Sequence, residues 1–307
     1  MTTRAVDTCI ELYGAGAHTG SPGEGELSRS ELLRPGKMRF SVMRESEPVM
    51  DDSRKIHFAI LGAVEGESRP FLPLLSSSET FQVRGEMFYL GDHDGCSVLL
   101  GTTGIGKVNA AVTTAALLER FSISEVFNIG CAGAYAQGPL RIGDVLVTRQ
   151  ALCGDEGVLV EGGVLPSEAL GFPLVVLGQE AFFDAFPLDR SARFSKILQE
   201  MPAGFYGPDG RPSSGEQHFQ LLYGPSLTVG MVSGDAEVAH RRFSRYEAFA
   251  ENMEGSAVAQ TCFRYGIPVM ECRGISNVVG DRDKRNWRLD AAMLHCRAVV
   301  QKWLEIR

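Results

Sequence analysis

Three polar positions in the chain have side chains suited to work on a ligand that carries neighbouring hydroxyls and a heterocycle. Glu67, in the segment GAVEGES at residues 62–68, follows an apolar run and supplies a loop carboxylate able to orient and deprotonate a water. Glu254, in NMEGSA at 252–257, stands where a helix is expected to begin, and the helix dipole favours an ionised carboxylate there. Its two side-by-side acceptor oxygens match vicinal hydroxyls such as those of ribose, and Met253 beside it can pack on a sugar face. Asn277, closing RGISN at 273–277, has both an amide donor and a carbonyl acceptor, which is what reading a base edge requires. Plainer readings stand beside these. Glu67 also fits an exposed loop glutamate, Glu254 a solvated helix start, Met253 a core methionine and Asn277 a turn former.

A glycine loop, GTTGIGKV at 101–108, comes close to the phosphate-cradling pattern G-x-x-x-x-G-K-[ST]. Val108 occupies the position where a hydroxyl would have to hold magnesium, so nucleoside triphosphate binding is not expected. What remains is a strand-to-helix turn whose N–H groups face a small polar ligand, or a turn with no ligand.

The elements needed to hold these residues are legible in outline. IHFAILGAV at 56–64 reads as a buried first strand, and SVLLGTTG leads through the glycine loop into a helix at 107–121. On that helix Val108, Val112, Ala115 and Ala116 share one face, which is expected to be the docking face. Strands follow at 125–134 and 144–149. From about 153 to 224 turn residues interrupt the pattern, which reads as an irregular insertion over the site. Regularity returns with a strand at 227–234, a helix over NMEGSAVAQTCFRY stopped by Gly266 and Pro268, and a strand over PVMECRGISN. A last helix carries Leu289, Ala292, Met293, Cys296, Val300 and Trp303 on one face. Alternating strands and helices imply an α/β fold.

Bulk properties narrow the function. The chain has 307 residues, 44% hydrophobic, and no apolar run near the ~20 residues that cross a bilayer, so no membrane role is expected. A net charge of −8 argues against a nucleic-acid surface. Seven cysteines without a C-x-x-C pair suggest neither a disulfide framework nor a zinc site, and no cofactor or metal is implied. The first residues lack the apolar core of a secretory signal, and a cytoplasmic setting fits best. Residues 1–54 show no hydrophobic period and read as a disordered extension or a mis-assigned start; residues 55–307 read as the catalytic domain.

Six segments in order, GAVEGES, TTGIGK, NIGCAGAY, VSGDAE, NMEGSAVA and RGISNVVG, resemble the methylthioadenosine/adenosylhomocysteine nucleosidases and their relatives in the purine nucleoside phosphorylase superfamily. The resemblance runs from about residue 56 to 306. It implies a single three-layer α/β domain, a central mixed sheet flanked by helices, a small-molecule nucleoside substrate and a homodimer. It implies further that Glu67 activates water, that Met253 and Glu254 bind ribose, and that Asn277 faces the purine. Gly104, Gly133, Glu237 and Val238 fall at base- and loop-binding positions. Adenosine-type members have Asp where this chain has Asn277. An amide can donate to O6 or N7 of a 6-oxopurine, whereas a carboxylate would repel O6. With GDRDKRNW and the GDEGV and ALGFPL segments, this resembles the futalosine hydrolases, which cleave an inosine-like nucleoside bearing a benzoate. Arg282 and Arg288, with Trp287 for stacking, are the expected carboxylate binders, although solvated loop charge is the plainer reading. The first loop lacks the G-D-P-x-R pattern of bacterial purine phosphorylases, and its glutamate would repel phosphate.

Overall fold

The computed structural model describes residues 55–306 apart from 162, 189–194, 196–197 and 215–217. The expectation for residues 1–54 falls outside the described residues.

Strand β1 (Lys55–Gly62) is buried on both faces after its first residues, as a central parallel strand must be. It lies between β4 (Cys96–Thr102) and the long β5 (Ser122–Ala134), parallel to both. Outside β4 a hairpin completes this edge, β2 (Ser78–Val83) and β3 (Glu86–His93), which the motif reading passed over. Its turn is Arg84-Gly85, both at positive φ (53° and 87°), a geometry that matches the twist of paired strands and favours glycine.

Beyond β5 the strands close on themselves. β15 (Val269–Val278) pairs with β5 and with β6 (Val145–Cys153); β6 pairs with β13 (Phe219–Thr228), β13 with β14 (Ala250–Asn252), and β14 with β5 again. Two register shifts, at Gly224/Pro225 and at Ile275/Asn277, supply the bends that closure needs. Parallel and antiparallel pairings together make an 11-stranded mixed sheet among the described residues.

Helix α1 (Glu65–Ser68) is a single turn after β1. Helices α2 (Lys107–Arg120) and α4 (Gly255–Tyr265) pack together on one side of the sheet, and α5 (Leu289–Glu305) covers the other. α3 (Ala236–Tyr246) caps a smaller cluster around Tyr135, Leu227 and Val229. α4 ends at Gly266, whose φ of 67° takes the left-handed cap conformation. On α5 the expected face is buried except for Leu289, 45% exposed at its first turn.

Two expectations are corrected. On α2 the docking face is Ala110, Thr113, Thr114 and Leu117, while Val108 and Val112 are 76% and 53% exposed. The stripe at i, i+3, i+4 and i+7 from Ala110 is the one that meets α4 and the sheet, so Val108 and Val112 lie on the outer side. The expected strand at 227–234 ends at Thr228: Val229 N–H makes the last bond to β14, at the Asn252 carbonyl, and the amides beyond it turn to side chains, Gly230 N–H to Asp155 and Ser233 N–H to Glu251. The irregular stretch accordingly stops at the start of β13, Phe219; its described strands, β7 (Val158–Val160) through β12 (Gly204–Tyr206), are three residues each, with a 3-10 turn at Ser167–Leu170 among them.

Candidate active site

A cavity of about 290 Å³ opens at the carboxyl ends of β1, β5 and β15, the place where open α/β sheets form ligand crevices. Its wall includes Glu67, Gly133, Met253, Glu254, Asn277, Arg282 and Trp287. Residues more than 200 positions apart in sequence are thus brought to one space, and Glu67 and Asn277 share it.

Glu67 is only 6% exposed, so the loop-glutamate reading fails on solvation. One carboxylate oxygen accepts from Ala63 N–H (2.7 Å) and the other from Cys131 N–H (2.8 Å), which fixes its plane and leaves lone pairs toward the cavity. Behind it, Arg273 is fully buried, and its guanidinium and the Glu67 carboxylate both lie over the bare Cα of Gly130, where a Cβ would overlap them. Arg273 Nη2 donates to Glu271 (3.2 Å). Glu271 in turn accepts from Asn128, Thr148 and Ser226, side chains pointing into the ring from β5, β6 and β13. Burial works against the Arg273 charge, yet Glu271, Glu254 and Glu67 around it hold its pKa above the ordinary value. The interior of the ring is a polar network that supports one buried cation among three carboxylates, with Arg273 Nε left without a partner.

Glu254 occupies the N-cap position of α4 and accepts from Gly106 N–H (2.8 Å). The glycine loop therefore reaches the site through Gly106. Burial raises the Glu254 pKa, with Arg273 and the Gly106 N–H opposing the rise. Asn252 organises this turn: its Oδ1 accepts from the N–H groups of Glu254 (3.0 Å) and Gly255 (2.7 Å).

The one-residue shift at Ile275/Asn277 sets Ser276 and Asn277 at the cavity wall. The Asn277 amide is oriented unambiguously. The atom 3.0 Å from the Val278 carbonyl has to be the nitrogen, since a carbonyl only accepts, and Oδ1 then takes the Ser276 hydroxyl (2.8 Å). Its second N–H is left for a ligand. Gly133 makes room for it: a Cβ there would stand 3.2 Å from Asn277 Nδ2.

The remaining expected positions separate. Arg282 lies over the Trp287 ring, 5.2 Å from its centre, and both line the cavity. Arg288 instead turns back on its own loop, donating to the carbonyls of Arg285 and Trp287. Gly104 (φ 81°) forms the turn before the cavity wall and is not part of it. Glu237 and Val238 sit in the first turn of α3, Glu237 paired with Arg241 and Val238 N–H with the Asp235 cap; the cavity is lined by Val232 and Ser233 from the preceding loop.

Sequence reasoning missed Arg273, Ser276 and Glu251. Arg273 left one signal: ECR inside an apolar strand puts Glu271 and Arg273 two apart, on one face, as a buried pair requires. Among the described residues, no group of three or more His, Cys, Asp or Glu is placed to hold a metal, and no helix is long and apolar enough to cross a membrane.

Comparison with known proteins gives a consistent picture. A model of the phosphorylase superfamily matches residues 57–305. Futalosine hydrolase of Thermus thermophilus is 34% identical over 202 residues, covering 66% of this chain and 79% of that protein. The 5′-methylthioadenosine/S-adenosylhomocysteine nucleosidase of Bacillus thuringiensis is 31% identical over 256 residues, 81% of this chain and 99% of the relative. Among solved structures, the adenine complex of the corresponding nucleosidase from Colwellia psychrerythraea superposes with a TM-score of 0.66 at 23% identity, covering 82% of this chain and 96% of that one. A futalosine hydrolase mutant from Helicobacter pylori gives 0.65 at 22% identity, covering 81% and 99%. With the family model spanning most of its length and two nucleosidases above 30% identity, the chain belongs to the phosphorylase superfamily, among its N-glycosidic nucleosidases.

Proposed function

We propose that the protein is a futalosine hydrolase, cleaving the N-glycosidic bond of futalosine to release hypoxanthine in menaquinone biosynthesis. The observation that carries this reading is the Asn277 amide, locked so that it presents an N–H to the cavity that also holds Glu67 and Glu254. A hypoxanthine offers O6 and N7 as acceptors to such a donor. The adenosine-type reading, supported by the 31% identity to methylthioadenosine/adenosylhomocysteine nucleosidases, calls for an acid at this position, and an amide has no proton to give.

Cleavage of an N-riboside passes through a cationic, oxocarbenium-like sugar and a departing purine anion. In this reading Glu254 binds the 2′ and 3′ hydroxyls, Met253 packs on the ribose, and Glu67 aims and deprotonates the water that attacks C1′. Arg273 sets a buried positive charge beside the Glu67 carboxylate. Asn277 holds the base through O6 or N7 while its negative charge develops, and water delivers the proton. Arg282, stacked on Trp287, takes the benzoate carboxylate; Arg288, turned to its own loop, does not. The protein is read as a homodimer, in keeping with the exposed stripe of Ile105, Val108 and Val112 beside the cavity mouth.

The test is product analysis with futalosine and inosine, with and without inorganic phosphate. Free hypoxanthine and a free sugar product, independent of phosphate, support the reading. A sugar phosphate, or cleavage confined to adenine nucleosides, overturns it.

A further inference from the structure

One wall of the cavity, Val232–Ser233, belongs to no strand or helix, yet it is held by a cluster of charged and polar groups that the mechanism above does not use. Glu251, on β14, is 6% exposed. Its Oε1 accepts from Ser233 N–H (2.7 Å); its Oε2 accepts from Ser233 Oγ (2.8 Å), Tyr135 OH (2.9 Å) and Arg242 Nη1 (3.0 Å). Arg242, from α3, reaches the same wall twice more, donating through Nη1 to Ser233 Oγ (2.9 Å) and through Nη2 to the Met231 carbonyl (2.8 Å). The planar fork joins the backbone of the wall to the carboxylate in one fixed geometry, which a single ammonium could not do.

The placement of Glu251 gives this cluster a functional meaning. Glu251 pairs with Gly133 on β5, and Gly133 pairs with Asn277 on β15, so the three residues form one row across three adjacent strands. The wall is therefore registered, through Glu251, to the amide that faces the base. The gap between Ser233 and Asn277 is set by sheet geometry as long as the Arg242–Glu251 clamp is intact. A planar heterocycle held in such a slot is sensitive to displacements well below the width of an atom.

We propose that Arg242 and Glu251 are positioning residues that fix the 231–233 wall and so set affinity for the purine base, acting through the wall and not on the reacting atoms. The inference rests on the nucleoside reading given above. It separates base affinity from chemistry, because Glu67 and Glu254 are held by a different network, through Ala63, Cys131 and Gly106.

The experiment compares the full chain with Arg242→Met, Arg242→Lys and Tyr135→Phe, measuring kcat and KM on inosine, the calorimetric Kd of free hypoxanthine, and the thermal midpoint. Arg242→Met should raise both KM and the hypoxanthine Kd by about 10-fold or more, leave kcat close to wild type, and be partly rescued in Arg242→Lys. Should Arg242→Met fail to fold, Tyr135→Phe, which deletes one donor to Glu251 and leaves the fork, carries the same expectation at smaller size. Folded variants with wild-type KM and hypoxanthine affinity overturn the proposal, as does a fall in kcat with base affinity unchanged. A wild-type protein that neither cleaves inosine nor binds hypoxanthine overturns the nucleoside reading, and this inference with it.

Discussion

Replacing Asn277 by Asp puts the proposed base specificity to a direct test. The residue is 8% exposed, and its amide nitrogen lies 3.0 Å from the Val278 carbonyl. Aspartate would place an oxygen there, lone pair against lone pair. That repulsion and the burial both favour the neutral acid, so the new carboxyl should titrate above the ordinary carboxylate range. Above that pKa the ionised variant has no donor for O6 or N7 of a 6-oxopurine, a loss worth about 1–3 kcal/mol. For an adenine nucleoside the protonated acid supplies a proton that the amide lacks, a gain of similar size in the opposite direction. The first effect acts above the new pKa and the second below it, and either shifts the ratio of kcat/KM for inosine to that for adenosine the same way, by about 1–3 kcal/mol or about 5- to 150-fold. The assay is base release, hypoxanthine against adenine, from the two nucleosides at several pH values. Adenosine cleavage by the variant should grow as pH falls through the new carboxyl's pKa, since only the neutral acid donates. An unchanged ratio in a folded Asn277→Asp protein would refute the claim that this amide reads the base.

Glu67→Gln should lower kcat by about 10²- to 10⁴-fold, because it removes the base and sets an NH₂ group against one of the two backbone N–H donors that now face the carboxylate. Steady-state kinetics checks it, with the thermal midpoint as a folding control. Burial raises the Glu254 carboxyl above the ordinary carboxylate range, so the native state holds its proton at pH values where the unfolded chain has released it. Across that window stability falls as pH rises, while diol binding is lost as pH falls; the KM for inosine should climb on the acid side, and Glu254→Gln should flatten the climb. Arg282→Ala should raise KM for futalosine and leave inosine unchanged; equal effects on both substrates would remove Arg282 from benzoate binding. Glu271→Gln weakens the compensation of a fully buried Arg273 and should cost about 3–5 kcal/mol in denaturant unfolding.

What the sequence determined by itself were features whose cause is local. Apolar runs gave the central strands, Gly266 and Pro268 gave the end of α4, and the one-turn spacing on α5 gave its buried stripe. Glu67, Glu254 and Asn277 stood out by type, but each alone also fitted a plainer reading, and their expected roles came from the resemblance of six ordered segments. Tertiary structure decided the rest, for reasons that lie in the neighbours. Val108 and Val112 face outward because α4 and the sheet meet the other stripe, Ala110, Thr113, Thr114 and Leu117, a choice the period within α2 does not settle. The strand expected at 227–234 stops short because the side chains of Asp155 and Glu251, one distant in sequence and one on another strand, take its later amides. Arg273 and the Arg242–Glu251 clamp were hidden for the same reason: a charge is affordable in a core only once its partners are assembled, and those partners come from strands that meet only when the ring closes.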